Sequence, residues 1–446
     1  MRSSGVPRLS CILALLGLSA CTGQTVAAAG PPDILVLLLD TVRADRMGAW
    51  GWGRDSSAPL DRRIEQGVRF ARAWAPSSWT RPSVGALLTG RQPPTLGITD
   101  ELSHGLPDAL PTLAEALRAQ GYATCGVTAN PNLNARFGFA RGFDRYTDST
   151  VVFPWMDDHG LHPDTSTEKL PSGPAVYAEA LRCATDHAKD PLLLFVDVME
   201  VHEHSRGAGS DLTRSDLRGR YGAPFGEYDD AMRTAAEQAD GFLTALSETP
   251  GWDDGLIILL SDHGEGLDSH PSIPGSGGHG SLLYRSNLHV PLAMWGRSVD
   301  ARRTVLTDVG LIDVPPTVFA LAGVPAPGPL DGQSLVPELG GARPDRRVYG
   351  AWTRFRGVDR DAVMFDDWLY LTDSVGGMVE LQPRMGVQDG DRTDQRARRG
   401  AAVARGQAAW AAMQTAHPWR SGRVESTAID PAARAQLERL GYVDPP

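Results

Sequence analysis

Lysine is nearly missing from this chain: of 43 basic residues, only Lys169 and Lys189 are lysines. Any anion-binding site must therefore rest on arginine, histidine, backbone amides or metal. No basic block occurs and the formal charge is −11, which argues against nucleic acid as the main partner. Cysteine is scarce, four in 446 residues. Cys125 and Cys183 each sit in an apolar context, in an expected strand and helix, and read as unpaired buried thiols. Past the N-terminus no apolar run approaches the roughly 18 residues that a spanning helix needs.

What is present is an ordinary globular composition, 41% apolar and 22% charged, on a chain long enough for one large α/β domain with an appendage. Arg2 and Arg8 precede the short apolar run Ile12 to Leu18, then small residues and Cys21. That pattern is a processed leader rather than a membrane span. Leu18-Ser19-Ala20-Cys21 resembles a bacterial lipobox. The resemblance implies cleavage of residues 1–20, lipidation of Cys21 and a tether over 21–32. Thr22, in place of Asp, directs such a protein to the outer membrane, facing the periplasm or the exterior of the cell envelope.

Two buried strands end alike. Ile34 to Leu39 runs into Asp40, and Leu256 to Leu260 runs into Ser261-Asp262-His263-Gly264. Carboxylates and an imidazole at the carboxyl ends of adjacent strands can share one cation, where open α/β sheets place ligands. Asp40, Asp262 and His263 are thus a candidate metal site. Further elements are helix Asp61–Gln66, helix Val84–Leu88 with Thr80 at its N-terminus and Pro82 in its first turn, and helix Leu113–Gln120. Strands are expected at Ala123–Thr128, Leu192–Val196 and Pro291–Trp295. The alternation predicts a mixed, mostly parallel sheet sandwiched by helices over 33–340. Residues 149–174 and 203–226 read as loops; Asp157, Asp158, His159 and His162 belong to the first as a charged face. From 341 the texture predicts a small α+β C-terminal subdomain to 446, with a flexible Arg/Ala/Gln-rich insert and a last helix from Pro431 to Leu440.

Thr80-Arg81-Pro82-Ser83, continuing to Ala86-Leu87-Leu88-Thr89-Gly90, resembles the sulfatase signature within the alkaline-phosphatase superfamily. Asp40-Thr41-Val42-Arg43-Ala44-Asp45, Ala58-Pro59-Leu60-Asp61, Gly142-Phe143-Asp144, Ser261-Asp262-His263-Gly264-Glu265 and His279-Gly280 fit in the same order, and similarity runs from about Pro32 to Asp331. The resemblance implies an alkaline-phosphatase-like fold and a metal-dependent hydrolase of sulfate, phosphate or phosphonate esters, acting on a small-molecule, glycan or lipid ester. It makes Thr80 the nucleophile and a fourth metal contact. It makes His202 and His279 catalytic groups that hold the transferred group or a second metal, with Glu200 a ligand or orienting partner and Arg81 anion-binding.

The departures are specific. Thr80 stands where sulfatases carry the Cys or Ser that becomes formylglycine, Val84 where they carry arginine, Thr41 where they carry a second aspartate, and the catalytic lysine is absent. A plain threonine ester cannot expel sulfate from a geminal diol, but a phosphothreonine can be attacked by water at phosphorus, so phosphoryl chemistry suits Thr80 better. Two carboxylates, one imidazole and an alkoxide favour zinc or manganese over calcium, as one ion or two. Two other readings remain open: a phosphotransferase modifying envelope glycans or lipids, and a binding lipoprotein whose catalytic site has decayed. Nothing in the sequence fixes the oligomeric state.

Overall fold

Six consecutive buried residues, Ile34–Leu39, form β1, and their alternation decides how the sheet is covered. Ile34, Val36 and Leu38 enter one apolar core, whereas Leu35, Leu37 and Leu39 enter another. A strand sealed on both faces is the signature of a sheet between two helical layers. Each such leucine contributes roughly 1.5–3 kcal/mol by burial, so a charge at Leu37 would undo the layer. The computed structural model describes Met1 and residues 30–150, 173–202, 225–267, 269, 278–299, 302–344, 347–385, 394–420 and 431–439. Cys21, the rest of the leader and the charged loop at 157–162 lie outside the described residues.

The other strands are β2 (Val68–Trp74), β3 (Ala123–Thr128), β4 (Arg145–Thr147), β5 (Leu192–Val198), β6 (Leu256–Leu260), β7 (His289–Val290), β8 (Leu292–Trp295), β9 (Arg303–Gly310), β10 (Tyr349–Phe355), β11 (Val358–Phe365), β12 (Trp368–Asp373) and β13 (Val379–Pro383). Among the described residues, nine make one sheet in the order β4-β3-β5-β1-β6-β8-β2-β7, with β9 paired to β2. β4, β3, β5, β1 and β6 are mutually parallel, and β8 turns antiparallel against β6. The carboxyl ends of β3, β5, β1 and β6 therefore meet along one edge. β10 to β13 form a separate antiparallel meander.

The longer helices are α1 (Ala58–Ile64), α2 (Thr80–Thr89), α3 (Leu113–Arg118), α4 (Gly173–Asp186), α5 (Phe225–Ser247), α6 (Val314–Ala322), α7 (Gly400–Ala416) and α8 (Pro431–Arg439). α4 and α5 supply Ala175, Tyr177, Met232 and Phe242 to one face of the sheet. α2, α3 and α6 supply Val84, Leu87, Leu117 and Phe319 to the other. Thr112 and Glu115 close a reciprocal cap on α3, and α2 ends at Gly90, whose φ of +65° a side chain would resist.

Four expectations change. β5 runs two residues past Val196, so Asp197 lies inside the strand; pairing with β1 on one side and β3 on the other carries the ladder on. The stretch expected as a loop to 226 gives its last two residues to the 23-residue α5, whose apolar period outweighs the polar start. Much of the supposed flexible insert is α7, because alanine favours helix and Trp410 anchors it by donating Nε1–H to Asp361 Oδ2 at 2.8 Å. Cys125 on β3 and Cys183 on α4 are joined as a disulfide, with Cα atoms 6.6 Å apart. Packing of α4 against β3 and β5 brings the two positions within bridging range.

Candidate active site

The corner forms where β1 and β6 stop side by side. The Asp40 amide still donates to Val198 O at 3.0 Å, as an extension of the ladder, but Thr41 then turns into the left-handed region at φ +59°. A threonine there costs roughly 1–3 kcal/mol and persists only when its surroundings hold it. Here they do. Tyr228 Oη donates to Thr41 O at 2.8 Å and accepts from Arg43 N at 2.8 Å, and Val42 N donates to Ser261 Oγ at 2.8 Å. Ser83 Oγ, in the first turn of α2, donates to Asp262 O at 2.6 Å and so docks that helix onto the end of β6.

Asp40, Asp262 and His263 are fully buried, and one ligand atom from each lies within 4.8 Å of the others. Asp40 Oδ1 and Asp262 Oδ2 have no hydrogen-bond partner, an arrangement that buried carboxylates avoid unless a cation meets them. His263 Nδ1 donates to Gly264 O at 2.9 Å, which leaves Nε2 without a proton, 3.3 Å from Asp262 Oδ2 and 3.7 Å from Asp40 Oδ1. Burial, then the neighbouring His279, holds His263 well below its usual range, so these short distances are no salt bridges. Burial, then the charges of Asp262 and Asp197, raises Asp40 well above the carboxylate range. Asp262 rises to about 6 and Asp197, inside β5, to about 8, again chiefly through burial. The residues present fit a divalent cation: two unpartnered carboxylate oxygens and one lone-pair nitrogen converge in a dry corner.

Thr80 opens α2 with its Oγ1 3.4 Å from His263 Nε2. Asn130, which sequence reasoning missed, donates Nδ2–H to Asp40 Oδ2 at 2.5 Å and to Thr80 Oγ1 at 3.2 Å. Its only sequence signal was the run Asn130-Pro131-Asn132-Leu133-Asn134 just beyond a buried strand. Asn132 is also fully buried, with neither amide atom bonded.

The second half of the site is a row of imidazoles. The His279 ring lies 4.6 Å from His263 and 5.0 Å from His202. Its Nδ1 bonds Glu265 Oε2 at 3.0 Å. Burial pulls the His279 pKa down, but the Glu265 charge and hydrogen bond outweigh it and the net shift is upward. Gly280 follows at φ +93°, its N–H donating to Ser78 O at 2.8 Å. A Cβ there would stand 2.7 Å from the Phe355 ring. β10 clamps this junction: Thr353 Oγ1 donates to Gly280 O, and Phe355 packs on Trp79 with ring centroids 5.2 Å apart.

Two expected members have partners outside this corner. Arg81 donates to the carbonyls of Asp100, Glu101 and His104 at 2.9, 2.8 and 3.0 Å and stacks on Trp79 and Phe137. Its position one residue after Thr80 on a helix turns it by about 100°, into the chain that follows α2. Glu200 accepts from Gly173 N at the start of α4, and burial raises its pKa to about 7. One helix-start amide holds Oε1, the buried Oε2 has no hydrogen-bond partner, and Glu200 is not one of the Asp40–Asp262–His263 group.

The Sulfatase family model matches residues 32–324. The chain is 29% identical over 370 residues to arylsulfatase A of Bos taurus, covering 73% of this chain and 71% of that one. It is 26% identical over 310 residues to the arylsulfatase of Hemicentrotus pulcherrimus, covering 62% of this chain and spanning only 54% of that enzyme's length. The phosphonate monoester hydrolase of Agrobacterium radiobacter has a similar fold, with a TM-score of 0.70 at 19% identity over 86% of this chain and 96% of that one. With the strand-end acids, the α2 threonine and a family match across most of the large sheet, this chain belongs to the sulfatase family.

Proposed function

We propose that the protein is a metal-dependent ester hydrolase in which Thr80 is the nucleophile, with phosphate or phosphonate esters preferred over sulfate. The observation that carries this reading is the position of Thr80 Oγ1, at the start of a helix and within 3.4 Å of His263 Nε2. A divalent cation, zinc or manganese by donor type, would be held by Asp40, Asp262 and His263 and would supply the positive charge that eases Thr80 deprotonation and offsets the anion. Thr80 Oγ forms a bond to phosphorus as the ester oxygen leaves. Asn130 Nδ2–H and the amides opening α2 face the developing negative charge. His279, held by Glu265, gives its proton to the departing oxygen, and His202 stands beside it. The proton that Thr80 loses passes to solvent; water then attacks the same phosphorus, the P–O bond to Thr80 breaks, one water proton restores the hydroxyl, and solvent reprotonates His279. A sulfated threonine has no comparable exit in the absence of formylglycine, which favours phosphoryl over sulfuryl transfer. The lipobox-like Leu18–Cys21 adds a lipid-anchored location at a bacterial envelope, where glycan and lipid esters occur.

Rates on aryl sulfate, phosphate monoester, phosphate diester and phosphonate, with bound metal quantified, test the reading. Wild type should turn over a phosphorus ester best, and Thr80→Ala should lose on the order of 10³-fold or more while retaining its fold. Full activity in Thr80→Ala would remove the nucleophile assignment.

A further inference from the structure

A cleft of about 590 Å³ opens between the small sheet and the chain that follows α2, and none of the cation-corner residues lines it. Its walls carry Trp352, Trp419 and His417 beside Arg354, Asp359 and Gln414. Trp419 is 38% exposed, unusual for a large apolar side chain in this molecule. The Arg354 guanidinium stands 4.6 Å from its ring centroid and orients the indole. Arg354 is fixed in turn by Asp361 Oδ1 at 2.9 Å, while Asp361 Oδ2 accepts from Gln414 Nε2 at 2.9 Å and Trp410 Nε1 at 2.8 Å. The polar groups are thus held in place before any ligand arrives.

Charge narrows what can enter. One arginine faces two aspartates, Asp359 and Asp361, and burial lowers the His417 pKa from its usual range. A lining of net negative sign disfavours sulfated or phosphorylated rings. An exposed indole accepts the C–H face of a pyranose, while the exposed Asp359 carboxylate and Gln414 Oε1 can accept from its hydroxyl groups. We propose that this cleft is a binding site for neutral saccharide units.

Both walls are braced against residues flanking Thr80. Arg81 holds Asp100 O at 2.9 Å, next to Thr99 of the cleft, and Phe355, next to Arg354, packs on Trp79. The inference deepens the ester-hydrolase reading by assigning a glycan as the ester-bearing molecule, but saccharide binding itself requires no turnover.

Ligand-observed NMR titration of the full chain carrying Thr80→Ala tests it, with cellohexaose, maltohexaose and chitohexaose as probes and dextran sulfate as the anionic control. At least one neutral hexasaccharide should bind saturably. Adding Trp419→Ala should weaken that binding about tenfold, the loss expected of one aromatic contact. Gln414→Ala should weaken it less. In an otherwise wild-type chain, Trp419→Ala should leave turnover of a small aryl phosphate unchanged. Failure of all three sugars to saturate, indifference to Trp419→Ala, or competition by dextran sulfate at the same site would overturn the proposal. Binding without ester turnover in wild type would keep the cleft and remove the hydrolase reading; turnover without binding would do the reverse.

Discussion

Asp262 at the end of β6 and Asp308 on β9 are both buried acids of the central sheet, yet their surroundings differ in kind. Asp308 accepts from Trp74 Nε1 at 2.8 Å and pairs with Arg384, itself 1% exposed, at 2.9 Å. Every oxygen of that carboxylate has a partner from the chain. Asp262 receives backbone N–H groups on Oδ1 only, its Oδ2 has no hydrogen-bond partner, and Asp40 and Asp197 crowd it with like charge. One site is electrically closed by the protein; the other leaves a carboxylate oxygen open, where the proposed cation would sit. Functional sites are where chains leave such deficits.

The contrast is broken most directly by a pair of substitutions. Asp262→Asn should cost at least about 10³-fold in turnover and most of the bound metal. Asp308→Asn should instead remove the buried counter-charge that Arg384 meets at 2.9 Å, costing roughly 3 kcal/mol of stability, with metal per folded molecule unchanged. Metal analysis beside denaturant unfolding reads both. Equal metal loss in the two variants would end the distinction.

Chelation sharpens it through pH. The Asp262 pKa is about 6 in the fold against 3.8 as a free side chain, and Asp197 rises to about 8. The metal-free fold therefore binds more protons than the unfolded chain across this window. That contribution to stability is present below about pH 4 and is lost as pH rises through about 6 and then about 8. A bound cation offsets the same ionisation, so EDTA should lower Tm more at pH 8 than at pH 5. A larger drop at pH 5 would contradict the sign.

Smaller effects probe the histidine side. Glu265→Gln removes the charge that holds the His279 pKa up, so the alkaline limb of the kcat profile should move about one pH unit lower. An unmoved limb would take His279 out of the proton transfer. Thr353→Val deletes the hydroxyl that holds Gly280 O. It should lower kcat by about tenfold with little change in KM, and Thr353→Ser should restore it.

The grouping of Asp40, Asp262 and His263 was readable before any coordinates because two buried strands end in them: Asp40 after Ile34–Leu39, and Asp262 with His263 after Leu256–Leu260. Asn130 was not readable, since its partners Asp40 and Thr80 are 90 and 50 residues away. Arg81 and Glu200 sit beside motif residues yet face carbonyls and a helix start, destinations set by where the chain after α2 and the start of α4 come to rest. The Cys125–Cys183 pairing, across 58 residues, depended in the same way on how a helix lies on a strand.

Sequence alone determined the layered sheet and the acids at its strand ends, because burial periodicity is a local property that each segment carries with it. Tertiary structure alone decided which buried charges are neutralised within the chain and which stay open to a cation. A counter-charge acts over a few ångströms, and only folding brings residues distant in sequence that close.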